Sequence, residues 1–465
     1  MQDDLQEIWL NAYSSVPEQL QKIRNVKSVV TAFNTNIDAV IKISGAELSK
    51  LAENAELNTY DNADDCNKQI KQPADVIRGI LRCFVKGIAE EWFCDNYAVY
   101  EWMRDNLKYN RLQMGGQGGI VANVMAVLGV GMVCAHTSSH PQLQARQFLN
   151  RENLSAIDGD GKTAKAADIN RDEDLPLIHW IIEFDGGDMV NLGTKTYTCP
   201  KSNRFIATYD SANLSLQIND GFLRYMQTAK YDYLVLSGYH NLTSERGGLE
   251  RLEASVPLIR EWKNKNPQGL IHMELASTAD LRIREAIMRR IVPLVDSVGL
   301  NEREAIDVQE VMHYDLGDDV VEGDDVAELF AIIKCMMEKT GVARIQLHLF
   351  GLYITLKKRG VIATAEQTKR GMMLAATIAA SKAGLGNIDD AANLLWSHGR
   401  KVAERSLQEL KKLADYLQNP ELMVSGITEL DDFEVIAVPT ILIDKPLTLV
   451  GMGDTISSIS LVGAR

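Results

Sequence analysis

PLTLVGMGDTISSIS, residues 446–460, is the stretch whose reading decides the fold. Leu447, Leu449 and Val450 read as the end of a buried strand, Gly451 and Gly453 permit a tight turn, and Asp454 to Ile459 begin a helix. Such a turn leaves the backbone N–H groups of residues 452–455 unpaired at the positive end of the helix dipole, where they bind an anion. Asp454 adds a carboxylate at the same spot. A carboxylate beside a phosphate cradle suits a base that takes a proton from an attacking hydroxyl while amides stabilise a transferring phosphoryl group. The simpler alternative is a strand-to-helix turn with Asp454 as its cap.

Upstream, short apolar strands alternate with amphipathic helices. YDYLVLSGYH, GLIHMELA, VDSVGLN, ARIQLHLFGLYITL and EVIAVPTILI read as strands, separated by helices such as SERGGLERLEASVPLIREWK and AELFAIIKCMMEKTG. This alternation predicts an α/β fold with a doubly wound, mainly parallel sheet, whose ligands bind beyond the carboxyl ends of the strands. Asp38, Glu274, Asn301, His348 and Asp454 each end or follow a predicted strand. At the amino end, residues 5–23 have helical spacing and Val26–Val30 run as a strand that delivers Asn34, Asn36 and Asp38 into a loop. Two stretches break the pattern. Residues 44–112 are polar and then strongly helical through VIRGILRCFVKGIAEEWF, and residues 150–210 are turn-rich around the half-exposed strand LIHWIIEF. They read as a smaller inserted α+β lid. The expected division is a large domain of residues 1–38, 113–163 and 211–465 and a lid of residues 39–112 and 164–210.

Charge and composition narrow the partners. The 465 residues carry 49 basic and 63 acidic side chains, a net charge of −14, with no long basic run, which argues against nucleic acid. The six cysteines form no C-x-x-C pair and read as reduced and mostly buried. No window of 18 apolar residues and no secretory leader is evident, so the expectation is a cytoplasmic protein, a monomer or small homo-oligomer, acting on small molecules.

Two constellations carry chemistry. HMELAST (272–278) and NERE (301–304) bring His272, Glu274, Asn301 and Glu304 to strand ends, where they could hold the water shell of a Mg²⁺ ion on nucleotide phosphates. Read singly, Asn301 and Glu304 are also a helix cap. Asn34, Asn36 and Asp38 with Gly115, Gly116 and Gln117 pair amide donors and acceptors as vicinal sugar hydroxyls require.

In this order (N-x-D, GGQGG, HWIIEF, NRFI, H-x-E, N-x-x-E, H-x-F-x-x-Y and a closing G-x-G-D) the chain resembles the ADP-dependent sugar kinases, the archaeal glucokinases and phosphofructokinases of the ribokinase-like superfamily. The resemblance implies a large αβα domain with a lid, ADP as phosphoryl donor, Mg²⁺ and release of AMP. It implies that Asp454 is the catalytic base and Gly451, Met452 and Gly453 the anion hole. His272, Glu274, Asn301 and Glu304 would serve Mg²⁺ and the donor phosphates, with Arg204 reaching the phosphates from the lid. His348, Tyr353 and Val438 match positions near the nucleotide, although Tyr353 and Val438 equally suit the strand core. Asn36, Asp38, Gly116, Gln117 and His179 match the sugar set.

The resemblance also implies two acceptor sets. A lid glutamate associated with glucose matches Glu90 better than Glu91, with the register left open by the doubled glutamate. Lys165, Lys201 and Asn203 fall where phosphofructokinases of the family hold the 6-phosphate. The leading expectation is an ADP-dependent phosphofructokinase giving fructose 1,6-bisphosphate and AMP, with some glucokinase activity. The alternatives are an ADP-dependent glucokinase, an ATP-dependent ribokinase-type kinase and a non-catalytic sugar or nucleotide sensor.

Overall fold

The computed structural model describes residues 2–60, 68–317, 325–448 and 451–465. Apolar strands of the expected kind assemble into an 11-stranded sheet. Its parallel centre runs Arg344–His348, Ser297–Leu300, Leu270–Glu274, Tyr233–Leu236, Ser28–Ala32, Met132–Ala135 and Leu154–Ile157. Antiparallel strands extend both edges: Leu352–Lys358, Phe433–Pro439 and Ile427–Leu430 on one side, Thr163–Lys165 on the other. Ser28–Ala32, Tyr233–Leu236 and Ser297–Leu300 are buried throughout, as apolar runs covered on both faces should be. Helices Gln117–Leu128, Met452–Val462 and Ala365–Leu385 pack on one another, and Gly248–Lys265, Leu281–Ala286, Glu302–Met312, Asp325–Thr340 and Glu404–Tyr416 form a second such group.

A second, six-stranded sheet has the order Gln69–Ile70, Glu90–Cys94, Asn203–Tyr209, Ile178–Phe184, Asn36–Lys42 and Arg111–Gly115. It has its own core, in which Ile37, Trp92, Trp180 and Phe205 pack with the helix Pro73–Lys86. Strand pairing sets the crossings between the two sheets at residues 33–35, 116, 166–177 and 210. Residues 36–38 and 113–115 therefore go with the small sheet, and 164–165 with the large one.

Several local expectations change. ARIQLHLFGLYITL is two antiparallel strands rather than one, because the chain reverses at Leu349–Gly351, where Gly351 has a φ of 112°. Asn36 and Asp38 lie in a strand instead of a loop, since Asn36–Lys42 pairs on both sides. Glu90 and Glu91 also lie in a strand: Gly87, in the left-handed conformation, ends the helix before them. Residues 441–448 form no strand before the Gly-x-Gly-Asp turn, and Leu447 is 67% exposed. Leu449 and Val450 lie outside the described residues, as do Cys66 and residues 318–324. The other five cysteines are free, four of them buried. No described helix is long and apolar enough to cross a membrane.

Candidate functional site

A cleft of about 550 Å³ opens between the two sheets. From the large sheet's side come Asn34, Gln117, His240, Asn241, Gly451 and Asp454, and from the small sheet Asn36, Asp38, Glu91, His179, Ile181, Arg204 and Ile206. Strand register explains the second set. Asp38 pairs with His179, and His179 with Thr208; Ile181 pairs with Ile206, and Ile206 with Glu91. Neighbours across strands share a face, so these rows look into the cleft while Ile37, Trp180, Phe205 and Trp92 fill the core behind them.

The same alternation decides between the two glutamates. Glu90 shares its face with Trp92 and is consumed there, taking hydrogen bonds from Arg82 Nε (3.0 Å) and Trp92 Nε1 (3.1 Å). Glu91 points the other way, into the cleft, where Thr208 Oγ1 donates to its Oε1. Glu91, and not the expected Glu90, therefore lines the cleft.

The sugar-type cluster is drawn together tightly. Asn36 Nδ2 donates to Asp38 Oδ1 at 2.9 Å, and the buried amide oxygens of Asn34, Asn36 and Gln117 have no hydrogen-bond partner among the described residues. Buried orphan acceptors facing a cleft call for donors from a ligand. Gly116 makes the arrangement possible: its φ is 73°, and a Cβ there would lie 2.7 Å from Asn34 O. Gly115 ends the strand beside Asn36. His179 Nε2 meets Asp210 Oδ2 at 3.0 Å. Burial alone would lower the His179 pKa, but Asp210, Glu91 and Asp38 outweigh it and hold the imidazole up at about 9. His240, which sequence reasoning missed along with Asn241, is pushed down to about 4, by burial and then by the charge of His179.

The glycine turn closes the other side. Gly451 caps the helix Met452–Val462 with a φ of 60°, and Asp454 sits in its first turn, 8% exposed. Gln117 Nε2 donates to Asp454 Oδ1 at 2.6 Å. Burial raises the Asp454 pKa, with the Gln117 hydrogen bond and the Lys382 charge opposing it. The carboxylate is thus desolvated and oriented in the first turn of a helix, the end of a helix that attracts an anion.

Behind the turn, His272 is 0% exposed with both ring nitrogens engaged, Nδ1 with Ser297 Oγ (3.0 Å) and Nε2 with Ser457 Oγ (3.2 Å). That removes it from the expected metal set, because a histidine ligand needs a free nitrogen. Asn301 and Glu304 form the reciprocal helix cap. Glu274 accepts from Ser457 Oγ and lies 3.7 Å from His348 Nε2. Burial, and then the charges of Asp454 and Glu304, raise the Glu274 pKa well above the carboxylate range; burial chiefly raises Glu304 to about 8. Among the described residues no three His, Cys, Asp or Glu side chains converge as a ready chelate. Tyr353 and Val438 face each other across paired strands, 5% and 0% exposed, as core residues.

Three predicted residues stand apart. Lys165 is in the edge strand of the large sheet, ion-paired with Glu152 at 2.6 Å; Lys201 is exposed; Asn203 donates to Gly87 O at 2.9 Å. None of them lines the cleft.

Residues 27–463 match the ADP-specific phosphofructokinase/glucokinase conserved region. An ADP-dependent glucose/glucosamine kinase of Pyrococcus abyssi is 31% identical over 98% of both chains. A structure of the last common ancestor of ADP-dependent phosphofructokinases from Methanosarcinales superposes with a TM-score of 0.83 at 26% identity, covering 99% of this chain and 98% of that one. An ADP-dependent kinase in complex with fructose 6-phosphate and ADPβS superposes with a TM-score of 0.78 at 28% identity, covering 99% and 97%.

Proposed function

The chain belongs to the ADP-specific phosphofructokinase/glucokinase family and is an ADP-dependent sugar kinase, and from that premise we infer that its acceptor is a hexose held in the cleft, with glucose favoured. The observation that carries this reading is Glu91. It projects into the cleft while Lys165 and Lys201 lie outside it, and a carboxylate there accepts from a sugar hydroxyl but repels a phosphate. Fructose 6-phosphate is the second reading. It is supported by Arg204 on the cleft wall, by the related kinase that binds fructose 6-phosphate, and by Lys201 three residues before Arg204.

In this mechanism the sugar sits against Asn34, Asn36, Asp38, Gln117, His179 and Glu91, under the small sheet acting as a lid. Closure of the lid excludes water that would otherwise hydrolyse the donor. The sugar hydroxyl oxygen attacks the β-phosphorus of ADP, its proton passes to Asp454, and the bond from the β-phosphorus to the bridging oxygen breaks, with the electron pair leaving on AMP. Met452 and Gly453 amides and the Arg204 guanidinium face the charge that develops. Glu274 and Glu304, both raised in pKa by burial and further by the charge of Asp454, fit Mg²⁺ held through its water shell, and the bound ion would neutralise donor phosphate charge. The nucleotide base would lie toward His348 and Tyr353. A monomer or small homo-oligomer in the cytoplasm, where ADP and hexoses are found, is the setting this reading implies.

The test crosses ADP and ATP against glucose and fructose 6-phosphate with Mg²⁺, for the native enzyme and Glu91→Gln. The expected result is transfer from ADP, better with glucose, and about a 10- to 100-fold loss of glucose kcat/KM in Glu91→Gln, the worth of one hydrogen bond to a charged group. Fructose 6-phosphate preferred, with Glu91→Gln unaltered on glucose, would overturn the assignment of Glu91.

A further inference from the structure

One buried cation has no part in the mechanism above. Lys382 lies in the last turn of the helix Ala365–Leu385, 8% exposed, and makes no ion pair among the described residues. Its Nζ donates to Gly451 O at 3.0 Å and to Thr455 Oγ1 at 3.2 Å. Thr455 Oγ1 in turn donates to the same carbonyl at 2.6 Å. Burying an ammonium costs several kcal/mol of solvation, and a leucine or methionine would fill the space without that cost. A purely structural account therefore leaves the charge unexplained.

The target of the charge explains it. In a trans peptide the carbonyl and the following amide point in opposite directions. Two donors that pin Gly451 O behind the turn thus fix Met452 N–H in front of it, where the anion is received. Gly451 needs such pinning because a glycine at a φ of 60° is free to rotate to many other conformations. A positive charge on the carbonyl also polarises the peptide and strengthens its N–H as a donor.

We propose that Lys382 is a positioning residue for phosphoryl transfer: a fixed internal cation that locks the Gly451–Met452 peptide and presents its amide to the transferring phosphoryl group. This rests on the reading of residues 451–454 as the transfer site. Burial lowers the Lys382 pKa to about 8 while the Asp454 charge opposes the shift, so the ammonium form persists at neutral pH. A separate cavity of about 480 Å³, which Lys382 lines together with Ile120, Asn123 and Gly386, gives small solutes a route to this position.

The experiment uses the full chain as Lys382→Met, which keeps the volume, and Lys382→Ala, which leaves a hole. Steady-state kinetics with ADP and the sugar, thermal melts and added ethylammonium are the readouts. The expected result is that Lys382→Met stays folded, with kcat about 10- to 100-fold lower and both KM values within about threefold. That is at or below the 10²–10³ lost with one direct oxyanion donor. Ethylammonium should raise kcat of Lys382→Ala at least about fivefold and leave the native enzyme unchanged, because a cation restored to the hole restores the pin. Overturning results are kcat within about threefold of native in Lys382→Met, activity losses that follow only the folded fraction, or no gain with the amine. Absence of ADP-dependent transfer in the native enzyme would instead reject the functional reading itself.

Discussion

Asp454 is raised in pKa by burial, and Gln117 and Lys382 draw it only part of the way back. Asp454→Ala should keep ADP and sugar binding, followed by calorimetry, and lower turnover by about 10²–10⁴-fold, the range for loss of a general base. The base works only when ionised, so the native rate should fall on the acid side at a pH above the ordinary aspartate value near 4; a pH–rate profile in kcat/KM reads this directly. At this scale the sequence carried many of the residue types, since Asn36, Asp38, Gln117, His179, Arg204 and Asp454 all reach the cleft. Glu91 over Glu90 was not legible. Two adjacent glutamates in a strand face opposite ways, and which face is the cleft depends on the partner strand Asn203–Tyr209, more than a hundred residues later. His240 and Asn241 follow the strand Tyr233–Leu236, and their place at a carboxyl end was the signal that could have found them.

The crossing at Gly116 joins the last strand of the small sheet to the helix Gln117–Leu128 of the large fold. Because a side chain there meets Asn34 O at 2.7 Å and also requires a left-handed backbone, Gly116→Ala should lower stability by about 1–3 kcal/mol and raise the sugar KM; denaturant titration and kinetics check the two effects. Elements with a strong period were legible: the buried central strands and the long helices lie where apolar spacing predicts them. The turn at Gly451 and the glycine at 116 were also legible, since left-handed backbone, found at both, is a local demand that glycine answers. Less legible were strands next to helices, as at Glu90–Cys94, because short half-buried segments have no period that separates the two states until a partner strand pairs with them. Of the strand end expected before Gly451, the described residue Leu447 is apolar yet 67% exposed, so a hydrophobic side chain alone does not make a strand without a partner to cover it.

Across the whole molecule, His179 in the small sheet and Asp210 at the return to the large one form an ion pair that ties the two parts. Its histidine is raised from 6.5 to about 9, so the pair stabilises the fold fully below pH 6.5 and is lost as pH rises through about 9. Melting curves from pH 6 to 9.5 should show a decline worth on the order of 2–3 kcal/mol, and His179→Asn should be less stable at pH 6 but lack that decline. What the sequence by itself determined was the class of fold, the order of the motifs and the chemistry of the Gly-x-Gly-Asp turn, because hydrophobic period, glycine conformation and side-chain type are properties of a few consecutive residues. What only the tertiary structure decided was which of those residues meet. It set Glu91 in the cleft and Glu90 behind it, enclosed His272, left Lys165 and Lys201 outside, and brought Lys382 under the Gly-x-Gly-Asp turn. Each of these depends on strand register and helix packing between segments far apart in the chain, and the free energy that fixes them comes from burying two separate cores rather than from any local stretch.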